Sequence, residues 1–135
     1  MENEKFKIGL EIRKEVLGAE YVEKSLGNAD DLNRDFQKII TEFCWGNTWG
    51  RGVLTKQQRS ILNLGMLAAL NRGHEFKLHF KGALTNGLTP IELREILIQI
   101  SIYCGVPAGI EAFRLARAVF DEEGIDTTTI DKDSA

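Results

Sequence analysis

The chain reads as an all-α protein of about six to seven helices. Apolar residues recur at helical spacing in segment after segment, capping signals stand at the boundaries, and no stretch alternates convincingly as a strand does. The first helix spans Lys5 to Leu17, with Phe6, Ile8, Leu10, Ile12, Val16 and Leu17 forming an imperfect stripe and Gly18 as its stop. A short segment from Tyr21 to Leu26 follows. Leu32 to Phe43 then places Leu32, Phe36, Ile39, Ile40 and Phe43 at helical spacing. Thr55-Lys-Gln-Gln58 is a capping box that opens an apolar helix to about Leu70. Gly73 and Asn86-Gly87 bracket the next helix. Thr89-Pro90-Ile91-Glu92 is a stronger start signal, with an N-cap Thr, Pro at the first helical position and Glu three residues after the cap. That helix ends near Cys104-Gly105. Pro107 opens the last one, which runs to about Glu123 with Gly124 as its stop. Residues 1–125 are thus expected to form one helical domain, and residues 126–135 a mobile tail.

Composition narrows the class. Hydrophobic residues make up 43% and charged residues 27% of the 135, the balance of an ordinary globular protein. A net charge of −3 gives no field that would gather nucleic acid or an anionic membrane, so neither is expected as a partner. The charged start, Met1-Glu-Asn-Glu-Lys5, has no apolar core of a secretion signal, and no apolar run reaches the roughly 18 residues of a membrane span. The two cysteines, Cys44 and Cys104, are too far apart for a CxxC pair and too few for a disulfide framework. A reducing, cytoplasmic setting is the expectation.

Two helices are too apolar for an outer layer. Ile61 to Leu70 and Ile91 to Cys104 carry apolar residues on nearly every face, and a helix apolar all round must be covered all round. One small helical domain has too little material to surround both. A symmetric homo-oligomer is therefore expected, with another subunit covering part of them.

The segment Glu75-Phe-Lys-Leu-His79 holds the most suggestive chemistry. Residues at i and i+4 share a helical face, so its carboxylate and imidazole can address one cavity. Histidine also titrates nearest neutral pH, which suits proton transfer. Taken alone, the pair is equally a surface contact worth about 0.3–0.5 kcal/mol. Trp45 and Trp49 fit core anchors as well as substrate walls, and Cys104 fits a small buried hydrophobe. His74 and His79 have the wrong spacing for two ligands on one helix face, and no metal site is expected.

Several segments in order carry a resemblance: Arg13-Lys-Glu-Val-Leu-Gly18, Trp45-Gly-Asn-Thr-Trp49 with Arg51, Thr55-Lys-Gln-Gln-Arg59-Ser-Ile-Leu62, Met66-Leu-Ala-Ala-Leu70, Glu75-Phe-Lys-Leu-His79, Ala83-Leu-Thr-Asn-Gly87-Leu-Thr89 and Ile102-Tyr-Cys-Gly-Val-Pro-Ala108. From about Gly9 to Gly124 the chain resembles the carboxymuconolactone decarboxylase family, in particular its short gamma-carboxymuconolactone decarboxylases. The resemblance implies an alkylhydroperoxidase-like helical fold assembled as a trimer or hexamer. The peroxidases of that superfamily use a CxxCxxxH motif. His79 stands where its His would, but Arg72 and Glu75 stand where its cysteines would, so that thiol chemistry has no nucleophile there.

The activity so implied is decarboxylation, in protocatechuate breakdown, of a small anionic lactone, 4-carboxymuconolactone, to the enol-lactone of 3-oxoadipate. The lactone is its own electron sink, so no cofactor is expected. Such a reaction needs cations for two carboxylates, a donor for the developing lactone oxyanion, and an acid for the ring carbon. His79 is the candidate proton donor or oxyanion partner, with Glu75 orienting it or raising its pKa. Arg51, beside Trp45 and Trp49, is the candidate carboxylate clamp. Tyr103 and Cys104 are candidate pocket residues, followed by Arg72 and Glu95. Other readings stay open at this point: a peroxidase-like antioxidant protein, a family member acting on another small acid, and a non-enzymatic oligomeric binding module. Gly52-Val53 replace the Pro-Gly expected after Arg51. Arg114 stands where a His is common, and Ile110 and Glu111 replace smaller or amide residues.

Overall fold

In the computed structural model of the chain, residues 3–132 are described, and among them seven α-helices and no strand occur. The helices are α1 (Glu4–Leu17), α2 (Ala19–Gly27), α3 (Arg34–Ile39), α4 (Lys56–Ala69), α5 (Gly73–Thr85), α6 (Pro90–Cys104) and α7 (Val106–Glu122). The all-helical reading and its capping signals hold. Contacts divide the chain into two compact units, Met1–Arg59 and Ser60–Ala135.

The first unit departs most from its sequence pattern. The helix expected over Leu32 to Phe43 starts at Arg34 and passes at Ile40 into a π-helical stretch that continues to Thr48. Its wider turns are visible in the Trp49 amide bonding the Cys44 carbonyl at 3.0 Å and the Thr48 hydroxyl bonding the Phe43 carbonyl at 3.0 Å, both five residues back. The expected apolar stripe does not become a core face: Leu32 is 92% exposed, and Phe36, Ile39 and Phe43 are exposed as well. What joins this stretch to α1 is backbone contact. A Cβ at Gly9 would lie 1.9 Å from the Thr41 carbonyl oxygen, and one at Gly46 would lie 2.3 Å from that of Lys5. No larger residue fits either position without moving a helix. Arg13, only 4% exposed, donates to Gln37 Oε1 at 3.0 Å and Thr41 Oγ1 at 3.1 Å. Burial lowers its pKa against the opposing influence of Tyr21 and Cys44.

The second unit is held by side chains. Leu64, Phe76, Phe80, Leu93, Leu97 and Phe120 form the centre of its core, each contributing roughly 1.5–3 kcal/mol on burial. Phe80 packs its ring edge-to-face on Phe120 at 5.3 Å and tilted on Phe76 at 5.9 Å. Thr89 and Glu92 form the expected capping box, at 3.2 Å and 2.9 Å, and Pro90 begins α6. A single residue, Gly105 at φ 99°, separates α6 from α7; that left-handed conformation suits glycine and lets the chain reverse in one step. The last described residues form a short turn at Thr127–Thr129, and Arg94 pairs with Asp131 at 2.8 Å. Residues 133–135 of the expected mobile tail lie outside the described residues.

The helices expected to be too apolar for an outer layer do leave apolar side chains exposed. Leu62 and Met66 on α4, Leu70 just after it, and Ile98, Ile102 and Tyr103 on α6 face outward, and so do Val106 and Ile110 on α7. No helix among the described residues is long and apolar enough to cross a membrane.

Candidate active site

α5 brings Glu75 and His79 together as the sequence predicts. Arg72 precedes it, held by the turn at Asn71 (φ 57°), and one helical turn separates the carboxylate from the imidazole. Both side chains are half-buried. Burial pushes the His79 pKa below its ordinary value and the Glu75 carboxylate pulls it upward, with burial the larger influence. The expectation that Glu75 would raise this pKa holds for its own contribution and fails for the sum. His79 is accordingly a neutral imidazole near pH 7.

Tyr103, Cys104 and Glu95 converge in a different place. With Ile61, Gly65 and Gln99 they line a cavity of about 380 Å³ between α4 and α6. That volume suits a small molecule. Its one charged lining residue is Glu95, an anion, which disfavours a ligand bearing two carboxylates. His79 and Glu75 do not line this cavity. Arg72 lines a smaller hollow of about 120 Å³ with Phe76, Glu111 and Leu115, in which Glu111 is paired to Arg114 on the exposed face of α7.

The remaining candidates belong to the first unit. Trp45 and Trp49 stack with ring centroids 4.8 Å apart and are buried, at 4% and 7% exposure, as part of that unit's core. Arg51 follows them in an exposed turn, and its carbonyl accepts a hydrogen bond from Arg59 Nη2 at 3.1 Å. Sequence reasoning did not single out Arg59. The available signal was the Thr55–Gln58 capping box, realised here at 2.9 Å and 3.0 Å, which fixes Arg59 on the first turn of α4. Among the described residues no group of His, Cys, Asp and Glu is arranged to hold a metal ion, and both cysteines are free.

The family model for the carboxymuconolactone decarboxylase family matches residues 34–118. The chain belongs to this family. It is 39% identical over 132 residues, 98% of each chain, to 4-carboxymuconolactone decarboxylase from Acinetobacter baylyi. It is also 41% identical over 117 residues, 87% of this chain and 82% of the relative, to a nitrosuccinic acid decarboxylase from Metarhizium robertsii. Within the family the chain is a carboxy-lyase, the class to which both of these relatives belong.

Proposed function

We propose that the chain decarboxylates 4-carboxymuconolactone to the enol-lactone of 3-oxoadipate. The observation that carries this reading is similarity along 98% of the chain to a decarboxylase named for that substrate, with Glu75 and His79 on one helical face. In the reaction the bond from the ring carbon to its carboxylate breaks, and CO2 leaves. The electron pair passes through the unsaturated ring into the lactone carbonyl, and a proton then enters at a ring carbon. Neutral His79 offers an N–H to the lactone oxygen as charge builds on it, the point at which a fixed donor lowers the barrier most. Glu75 sets the orientation of the imidazole, and within the first unit Arg51 is the carboxylate-binding residue. Tyr103 and Cys104 shape the separate cavity between α4 and α6. Glu95 is its anionic wall, suited to a donor rather than to the dianion.

The second named relative favours a close variant of this reading. Nitrosuccinic acid and 4-carboxymuconolactone share a carbon that bears both a carboxylate and a CH2–carboxylate arm. They differ in the electron sink, a nitro group in one and an unsaturated lactone in the other. Nitrosuccinate is therefore the alternative substrate. The exposed apolar side chains of α4, α6 and α7 support assembly as a homo-oligomer, a trimer or hexamer by family resemblance.

The test is turnover of 4-carboxymuconolactone, generated in situ, by wild type and His79→Ala, following CO2 and enol-lactone together. Wild-type activity falling by about 10²-fold in the variant is the expected result. A folded, inactive wild type refutes the substrate. Nitrosuccinate is then assayed under the same conditions.

A further inference from the structure

We propose that Arg59 is a second carboxylate-binding residue beside Arg51, so that two guanidiniums grip the two carboxylates of a dianion with a succinate skeleton. The proposal rests on the decarboxylase reading above. Arg59 Nη2 is committed to the Arg51 carbonyl at 3.1 Å, which ties the two residues into one turn. That bond also anchors the chain just before Gly52-Val53, where no proline stiffens the turn.

Among the described residues neither arginine has a counter-ion. The ion pairs among the described residues involve neither Arg51 nor Arg59, and Glu15 is engaged by Lys56 instead. Arg59 Nε is a buried donor with no hydrogen-bond partner. A half-buried guanidinium with one buried donor unbonded, held on the main chain of a second arginine and in no ion pair among the described residues, is an unfavourable arrangement for a protein alone. An anion with two carboxylates relieves it, because each planar guanidinium can take one carboxylate through paired N–H groups. The capping box fixes the backbone of Arg59, whose amide bonds the Thr55 carbonyl at 3.0 Å, so the second cation is held by a helix while the first is carried by a turn. This division assigns Arg59 the discrimination between a dicarboxylate and a monocarboxylate.

The experiment compares wild type, Arg59→Met and Arg59→Lys for binding of succinate and of monomethyl succinate, by calorimetry and by protection against thermal unfolding. KM and kcat for 4-carboxymuconolactone and its acetate-arm methyl ester are measured in parallel. Arg59→Met is expected to weaken succinate by about 10- to 100-fold while changing monomethyl succinate little, and to raise KM for the dianion but not for the ester. Arg59→Lys, which keeps the charge and a single donor to the Arg51 carbonyl, falls between. Equal weakening of both ligands overturns the proposal and leaves Arg59 as a holder of the turn, as does failure of wild type to prefer succinate. Selective succinate binding lost in Arg59→Met, in a protein that does not turn over the lactone, sustains the two-arginine grip and overturns the decarboxylase substrate instead.

Discussion

The two units of this chain are held together in opposite ways. In Met1–Arg59 two helical backbones meet directly, at Gly9 against Thr41 and Gly46 against Lys5, and a buried arginine bridges to Gln37 and Thr41. In Ser60–Ala135 aromatic and branched side chains fill most of the space between helices, and the one comparably close approach among the described glycines is Gly109 of α7 against Ser101 of α6. The first arrangement depends on atoms that are missing, the second on atoms that are present. An atom added at Gly9 should therefore damage the first unit, and atoms removed at Phe80 the second.

The largest effect is expected from Phe80→Ala. Phe80 is fully buried between Phe76 and Phe120, so truncation removes burial and leaves a cavity, at a cost of about 3–5 kcal/mol. Urea denaturation measures it, and amide exchange should accelerate first in α5 and α7. Gly9→Ala adds a single methyl group, yet its Cβ lies 1.9 Å from a backbone oxygen that no rotamer change can move. A loss of about 3 kcal/mol is expected, at the upper end for overpacking, with exchange rising in α1 and the π-helical stretch. If both variants loosen the same amides, the contrast between the two units fails.

That contrast also explains what was legible in the sequence. Capping boxes at Thr55 and Thr89, Pro90 and Gly105 are local devices, acting on residues within one turn, and they located α4, α6 and α7 closely. The π-helical stretch was not legible, because wider turns shift every later side chain off the 3.6-residue period. Phe43 lies within that stretch, but Phe36 and Ile39 precede it and are exposed all the same, because helical spacing does not say whether a face is covered. For the site, the spacing of Glu75 and His79 was readable as one helical face, whereas Tyr103 and Cys104 line a cavity that His79 and Glu75 do not. The hydrogen bond from Arg59 to the Arg51 carbonyl was not legible, because spacing does not encode it. The His79 balance was missed because burial, which outweighs Glu75 there, is a property of the packed chain.

Thr89→Ala probes a local device at intermediate size. Its hydroxyl accepts from the Glu92 amide while the Glu92 carboxylate accepts from the Thr89 amide, so both donors lose their arrangement together. About 1 kcal/mol is expected, read as a lower melting temperature with α6 still formed. A loss above that of Phe80→Ala would mean that the cap, rather than the side-chain core, holds the second unit.

The smallest effect concerns His79 and depends on pH. Burial holds its folded-state pKa below the unfolded value of about 6.5, so above that pH both states carry a neutral ring and the residue adds no pH dependence. As pH falls through about 6.5 the unfolded chain takes up the proton more readily than the folded one, and stability declines until the folded state is protonated too. Glu75 opposes this by attracting the imidazolium, which keeps the decline small. Urea midpoints of wild type and His79→Gln should therefore agree at pH 8 and separate at pH 5, with wild type the more weakened. Removing Glu75 as Glu75→Gln should widen the separation, because burial then acts unopposed. Parallel curves for wild type and His79→Gln would show that the imidazole binds its proton equally well in the folded and unfolded chain, and that burial does not govern it.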